Sequence, residues 1–388
     1  MSTHWRLPRG VDELLPPRAW DLEILRRRVL DVFVAWGFDY VDPPLIEYLD
    51  ALLVGSGEDL DLQTLKVVDQ VSGRQLGVRA DMTSQALRID AHSIITDGVQ
   101  RLCYAGPVVF ASPQNSQDSR VPLKAGAEIF GAPSLAADAE VIALMLEVMR
   151  IAEIQQPVLL LGHMGIYRNL VADLIDAKIL RSEDQQELFK RIQRKGESDI
   201  LNLLGNSKQA QMMAALPNLM GDASALDEAR RVLAKASTPV HEALDELATL
   251  ANIITIHQAD VDLRIDVSEL SGYGYHNGPV FAVYHPQHGQ ALAQGGRYDG
   301  VGKVFGRARP ATGFDLSLKQ LLGANSTPEP VYFAPHVGEE ERTGLLVAVA
   351  QLREQGLRVV VALSVDEVPP SNCAGRLENQ SGHWQVVT

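Results

Sequence analysis

The sequence predicts an α+β fold in two parts, and three observations carry that reading. Candidate strands and helices mix over most of the chain without strict β-α alternation. The stretch 168–272 has a helical texture: Phe189 is its only aromatic residue, Pro217 and Pro239 its only prolines, and Leu, Ala, Lys, Glu and Gln recur at helical spacing. Beyond Asn325-Ser326-Thr327-Pro328-Glu329-Pro330, a linker by composition, a strand, a helix and a strand follow as one β-α-β unit. The expected domains are 1–325, with a helical insertion at about 168–260, and a small truncated α/β domain at 331–388.

Residues 1–10 read as extended and end in Arg9-Gly10. Pro16-Pro17 introduce a helix in which Leu22, Leu25, Val29, Val32, Phe33 and Trp36 recur at helical spacing, and Gly37 ends it. Arg26, Arg27 and Arg28 read as its solvated face. Tyr40 to Ile46 reads as a strand or extended segment crossing Pro43-Pro44. Leu65 to Arg79 reads as a hairpin around Ser72-Gly73. Residues 83–92 return to helical spacing. Leu102 to Phe110 and Leu123 to Phe130 are strands flanking a polar loop, 112–120. Ala136 to Ile154 is a long helix and Val158 to Leu161 a buried strand. After the insertion, Leu263 to Val267, Val280 to Tyr284 and Ala291 to Gln294 are strands, and Ala311 to Leu322 is a strand entering a helix. The C-terminal unit comprises Val331 to Ala334, Glu339 to Gln355 and Arg358 to Leu363.

The 388 residues suffice for two or three domains, and 46% apolar with 22% charged residues is globular composition. Lys and Arg number 35 against 49 Asp and Glu, leaving a formal net charge of −14 that repels phosphate backbones. The apolar runs fall short of a membrane span, and Met1 to Arg6 lacks the apolar core of a signal peptide. Cys103 and Cys373 make no Cys-x-x-Cys pair, which argues against a disulfide framework or thiolate zinc site and fits a reducing cytoplasm. His276, His285 and His288 lack an accompanying Cys or carboxylate at ligand spacing, so no metal or other cofactor is expected. Gly302-Lys303 is not a phosphate loop, because Arg297 takes the first-glycine position and Val304 replaces Ser or Thr.

Four segments carry more specific information. The first is Leu7-Pro8-Arg9-Gly10 leading to Leu15-Pro16, and the second Arg79-Ala80-Asp81-Met82-Thr83. The third runs from Arg101-Leu102-Cys103-Tyr104-Ala105-Gly106-Pro107 to Gly126-Ala127-Glu128-Ile129-Phe130-Gly131. The fourth is Gly272-Tyr273-Gly274-Tyr275-His276-Asn277-Gly278-Pro279-Val280-Phe281, then Gly295-Gly296-Arg297-Tyr298-Asp299-Gly300 and Gly313-Phe314. In this order, over residues 5 to about 322, they resemble the class II aminoacyl-tRNA synthetase core of the histidyl type. The resemblance implies an antiparallel sheet with helices.

The departures from that family matter as much. Amino-acid activation by ATP builds charge on phosphate, which guanidinium groups stabilise by forked hydrogen bonds. The family's three arginines align with Phe110, Ser271 and Gln320, none of them cationic. Loss of one such donor costs on the order of a hundredfold to a thousandfold in rate, so synthetase activity is expected to be absent. A synthetase fold with its amino-acid pocket partly kept and its anticodon-binding domain shortened is similar to the regulatory subunits of short-form ATP phosphoribosyltransferase. That resemblance implies a hetero-octamer with a separate catalytic subunit, self-association as a dimer, and histidine as the ligand sensed in the first step of histidine biosynthesis.

The same resemblance nominates Asp81, Thr83, Lys124, Glu128, Tyr275, His276 and Arg297 as candidate histidine-binding residues. Asp81 and Thr83 fill positions that hold the ligand's ammonium group; Asp81 alternatively caps the helix near Thr83. Glu128 matches the acid that accepts an imidazole N–H. In its apolar stretch it needs a partner, either the ligand or Arg297. Lys124 replaces a glutamine and either meets the ligand carboxylate or points to solvent. Tyr275 matches the family and His276 replaces a tyrosine. Two other readings stay open: an amino-acid–AMP ligase, which predicts pyrophosphate exchange, and a tRNA-sensing module, which predicts tight tRNA binding.

Overall fold

A computed structural model describes residues 5–53, 58–113, 119–258, 260–270, 272, 274–323 and 328–388. Ser271 and Tyr273, the middle of the 112–120 loop, and 325–327 of the linker lie outside the described residues. Two compact units separate: Met1–Glu13 with Leu22–Leu322, and Leu14–Asp21 with Gly323–Thr388.

Helix α1 (Arg18–Ala35) buries Leu22, Leu25, Val29 and Phe33 on one stripe. It ends at Gly37, whose φ of 84° lets the Phe38 N–H return to the Phe33 carbonyl at 3.1 Å. Next come β1 (Asp39–Tyr40), β2 (Ile46–Tyr48), α2 (Leu49–Leu52), α3 (Glu58–Gln63), β3 (Leu65–Val68) and β4 (Gln75–Val78). The single segment read over 40–46 is in fact two short strands in different sheets. Pro43 and Pro44 have no N–H for a ladder, and the chain changes sheet there. The hairpin turn is held by Asp69, whose carboxylate accepts from the Val71 and Ser72 N–H groups at 3.1 Å each.

Helix α4 (Thr83–Arg88) widens into a π-turn at Ile89–Ser93 rather than continuing as one α-helix to 92. Strands β5 (Gln100–Pro107) and β6 (Leu123–Phe130), helix α5 (Leu135–Ile151) and β7 (Val158–His163) follow. The insertion contains α6 (Met164–Asp176), α7 (Gln185–Gln193), α8 (Glu197–Leu204), α9 (Lys208–Ala215), the two-residue strand β8 (Met220–Gly221), α10 (Ser224–Val232) and α11 (Thr238–His257). The chain then returns through β9 (Asp262–Asp266), β10 (Pro279–Tyr284), β11 (Ala293–Arg297), β12 (Ala311–Ser317) and α12 (Leu318–Leu321).

The main sheet has the order β1-β5-β6-β12-β11-β10-β7-β9-β8, and β2-β4-β3 form a separate small sheet. Its central neighbours, from β5 to β7, are all antiparallel; β1 with β5 and β7 with β9 are parallel. Helix α5 packs on this sheet through Val141, Leu144, Met145 and Val148, which are fully buried. The fold is therefore α+β, a largely antiparallel sheet with helices as the sequence reading expected.

The second unit has β13 (Val331–Ala334), α13 (Glu339–Glu354), β14 (Arg358–Val361), β15 (Cys373–Gln380) and β16 (His383–Val387). Its sheet runs β14-β13-β15-β16, with β13 parallel to both neighbours and β15-β16 an antiparallel hairpin. Ala334, Leu345, Val349, Val359 and Leu377 form its core. Among the described residues, no helix is long and apolar enough to cross a membrane.

Candidate functional site

Side chains alternate across a strand, so register decides what faces the site. On β6, Lys124, Gly126 and Glu128 share one face; on β12, Gly313 and Asp315 share it. Glu128 stands opposite Gly313 and Gly126 opposite Asp315. Tyr104 of β5 is opposite Gly126, and Gly296 of β11 is opposite Gly313. The glycines keep this floor low. A Cβ on Gly126 would lie 2.6 Å from the Tyr104 hydroxyl, and one on Gly313 would overlap the Glu128 carboxylate.

Above the floor lies a cavity of about 450 Å³, a size suited to a small molecule. Asp81, Thr83, Lys124, Glu128, Tyr275 and His276 all line it. Arg297 does not. It follows Gly296 on β11, so its side chain falls on the opposite face, toward α5. There its Nε and Nη2 bond to Asp138 Oδ2 at 3.1 and 2.6 Å, and its Nη groups to the Ala132 and Ser134 carbonyls. Arg297 is therefore a buried structural cation, and it is not the partner of Glu128.

Glu128 instead accepts hydrogen bonds from two phenols, Tyr104 Oη at 2.9 Å and Tyr298 Oη at 2.6 Å. Thr83 Oγ1 lies 3.1 Å from the same Tyr104 hydroxyl. Burial pushes the Glu128 carboxyl up to about 8, against the opposing pull of the two phenols, and the nearby Asp81 charge adds to the rise. Asp81 accepts from the Thr83 N–H at 3.1 Å, so it does support the start of α4 while lining the cavity. Burial raises its pKa as well, opposed by Lys124. Lys124 does not point free into solvent: its Nζ bonds to both oxygens of Asp315 at 3.0 and 2.9 Å, and its side chain is only 17% exposed. Burial disfavours its charge, but Asp315 and Asp81 outweigh that and raise its pKa.

An aromatic wall completes the site. The Tyr275 and Tyr298 rings lie 4.7 Å apart, and His276 packs edge-on to Tyr275 at 5.5 Å. Asp315, Tyr104 and Tyr298 were not singled out as site residues from the sequence. Asp315 shares the signal that supported Glu128 beside the resemblance, a lone carboxylate in an apolar strand. Of the three positions where synthetases carry arginine, Phe110 lines the cavity, Gln320 lies half-buried on α12, and Ser271 is outside the described residues. Among the described lining residues, Lys124 is the one Lys or Arg, against the carboxylates of Asp81, Glu128, Glu269 and Asp315. Among the described residues, no group of three or more His, Cys, Asp or Glu side chains is placed to hold a metal ion.

Comparisons with known proteins bear on the family and the fold. The family described as "Histidyl-tRNA synthetase" matches residues 10–321, and that described as "ATP phosphoribosyltransferase subunit HisZ C-terminal domain" matches 333–387. A protein of Thioalkalivibrio sulfidiphilus named "ATP phosphoribosyltransferase regulatory subunit" is 45% identical over 100% of this chain and 99% of its own length. One of the same name from Azotobacter vinelandii is 46% identical over 99% of this chain and 98% of its own. Among solved structures, a Bacillus halodurans protein described as an "ATP phosphoribosyltransferase regulatory subunit/histidyl-tRNA synthetase" is 25% identical with a TM-score of 0.82, covering 94% of this chain and 96% of that one. The histidyl-tRNA synthetase of Nostoc sp. PCC 7120 has a TM-score of 0.75 at 17% identity, over 95% of this chain and 88% of that one, and speaks to the fold alone. A synthetase-type body followed by the HisZ-type C-terminal domain, with full-length relatives of one name, means that this chain belongs to the ATP phosphoribosyltransferase regulatory subunit family.

Proposed function

We propose that the chain is a non-catalytic subunit that joins the catalytic subunit of a short-form ATP phosphoribosyltransferase in the cytoplasm, binds histidine in the β6–β12 cavity, and passes that binding on as feedback inhibition. Family membership supports the coarse role, a regulatory subunit of histidine biosynthesis. The cavity's lining supports the histidine-binding part of this reading. Four carboxylates and one already paired lysine line it, with Phe110 where synthetases carry a guanidinium. Among the described residues, such a wall offers a triphosphate no unpaired cation, and it suits a ligand bearing an ammonium group and a hydrogen-bond-donating ring. Glu128 suits the imidazole N–H, and Asp81 with Thr83 suits the ammonium. The assembly is a hetero-octamer in this reading, with the synthetase-like bodies paired as dimers.

The test is reconstitution. Phosphoribosyl transfer by the catalytic subunit should rise when this chain is added, and histidine should inhibit the reconstituted complex. Amino-acid-dependent exchange of pyrophosphate into ATP should be absent. Exchange by the purified chain would instead support an amino-acid–AMP ligase, and tight tRNA binding at moderate salt a tRNA-sensing module. Co-purification from native extract without a phosphoribosyltransferase chain would remove the partner assignment.

A further inference from the structure

The turn that leaves β9 is where the helical insertion meets the cavity wall. Asp266, the last residue of β9, and Ser268 are both buried. Asp266 Oδ1 accepts from the Ser268 N–H and hydroxyl at 2.9 and 2.8 Å, and its other oxygen accepts from Lys195 Nζ at 2.5 Å. The same ammonium donates to Ser268 Oγ at 2.9 Å, so the three side chains close a ring of hydrogen bonds. Lys195 comes from the turn between α7 and α8, 71 residues before Asp266. The insertion also holds this point through its backbone. The Val267 N–H donates to the Leu219 carbonyl at 3.0 Å, and Met220 and Gly221 pair with Asp266 and Ile265.

The backbone at Lys195 is unusual. The residue follows the C-cap of α7 with a φ of 56°, and its N–H returns to the Ile192 carbonyl at 2.9 Å. Glycine suits that left-handed place, and a glycine stands at the very next position, Gly196. For a residue with a side chain the conformation is unfavourable. What lysine adds there is the ammonium that reaches Asp266 and Ser268.

The ring in turn holds the lining. The Glu269 N–H donates to the Asp266 carbonyl at 3.2 Å, and Glu269 lines the cavity. The turn rests directly on β7, where a Cβ on Gly162 would lie 2.9 Å from the Asp266 carbonyl oxygen and 2.7 Å from the Glu269 Cβ. Gly272, Gly274, Tyr275 and His276 come next among the lining residues. Lys195 is not itself on the cavity wall.

We propose that Lys195 is a positioning residue that couples the helical insertion to the ligand cavity, fixing through Asp266 and Ser268 the turn that carries Glu269 into the lining. The proposal rests on the reading of this cavity as the histidine site, and it adds that the insertion responds to occupancy. The coupling is reciprocal: a clamp that favours the ligand-binding arrangement is itself tightened by the ligand.

Calorimetry with L-histidine and amide hydrogen exchange test this on the full chain, alone and co-purified with the catalytic subunit. In the wild type, histidine should slow exchange at the α7–α8 turn and at 219–221 as well as beside the cavity. Lys195→Met should weaken histidine by at least about fivefold and abolish the remote protection. Lys195→Arg, which keeps a cation within reach, should restore most of both. Lys195→Gly/Asp266→Asn relieves the backbone and strands no charge. It should fold as stably as wild type yet bind histidine as weakly as Lys195→Met, which decides the matter even if Lys195→Met fails to fold. Folded variants with wild-type histidine affinity would overturn the proposal, as would wild-type protection confined to the cavity lining; the histidine site itself would then stand. No histidine binding by the wild type in either preparation would overturn both this and the histidine-site reading.

Discussion

Glu128 faces Gly313 across the β6–β12 ladder, and a methyl group on Gly313 would occupy the space of the Glu128 carboxylate. The acid at the centre of the site can therefore lie flat on the sheet only because its neighbour has no side chain. Gly313→Ala must push Glu128 off Tyr104 and Tyr298 or bend the strand. Overpacking of this kind costs about 1–3 kcal/mol. A Cβ on Gly289 would meet nothing within 4 Å, so Gly289→Ala should stay within about 0.5 kcal/mol of wild type. Urea denaturation of both variants measures the difference. A wild-type midpoint for Gly313→Ala would refute the cradle.

The buried Glu128 carboxyl makes stability depend on pH. Its pKa is pushed up to about 8 by burial, with Tyr104, Tyr298, Tyr275 and Asp81 the titratable groups around it. The three phenols stay protonated well above pH 8, because burial raises them also. In the unfolded chain Glu128 ionises near the ordinary glutamate value, so between there and about pH 8 the native state binds the extra proton. Its contribution is complete at low pH and is lost as pH rises through about 8, at up to about 1.4 kcal/mol per pH unit. Glu128→Gln removes this titration. Relative to Glu128→Gln, the wild type should lose stability steadily from pH 5 to pH 8. Parallel pH profiles for the two proteins would show that Glu128 is not held protonated.

Why some of this was legible in the sequence and some was not comes down to pairing at a distance. Glu128, Asp81 and Thr83 stood out by their places in the family's motifs, and Glu128 also as a carboxylate in an apolar stretch. Arg297 sat in an equally motif-like segment but belongs to the far face of the sheet. A one-residue step from Gly296 reverses the side chain, and its partner Asp138 lies on α5, 159 residues earlier. Lys124 had two open fates, solvent or ligand, because Asp315 is 191 residues away and nothing local announces the pair. The same holds for the phenols of Tyr104 and Tyr298, which only the folded sheet sets against Glu128. The helices, the hairpin and the C-terminal β-α-β followed local periodicity and turn chemistry. The 40–46 segment did not, because two prolines send adjacent residues into separate sheets.

Histidine binding in this cavity should release protons. At pH 7 the empty site holds Glu128 largely protonated, given its pKa of about 8. An imidazole N–H donating to this carboxyl, with an ammonium beside Asp81, favours the ionised forms and lowers both pKa values. Affinity should therefore increase with pH between about 7 and 8, by at most about tenfold per unit for each proton released. Calorimetry in phosphate and in Tris, whose ionisation enthalpies differ, counts the protons directly. Glu128→Gln should reduce the count and flatten the profile. A wild-type count of zero at pH 7 would mean that the ligand does not meet an ionised Glu128.

The Arg297–Asp138 pair should behave as structure, not as ligand contact. Arg297 is 5% exposed and Asp138 0%, and the guanidinium also ties down the Ala132 and Ser134 carbonyls at the start of α5. Burial alone would raise the Asp138 pKa and lower that of Arg297; each charge opposes the shift of the other. Arg297→Met strands a carboxylate in the core and should cost about 3–5 kcal/mol. Adding Asp138→Leu removes the stranded charge and should recover much of that loss, giving a coupling of up to about 3 kcal/mol in the double-mutant cycle. Arg297→Lys keeps the charge but loses the forked geometry, so it should destabilise the chain while leaving histidine affinity close to wild type in the folded fraction. Denaturation and calorimetry on the same samples separate the two effects. If Arg297→Lys remained as stable as wild type but lost histidine binding, Arg297 would have to be returned to the ligand site, against the register of β11.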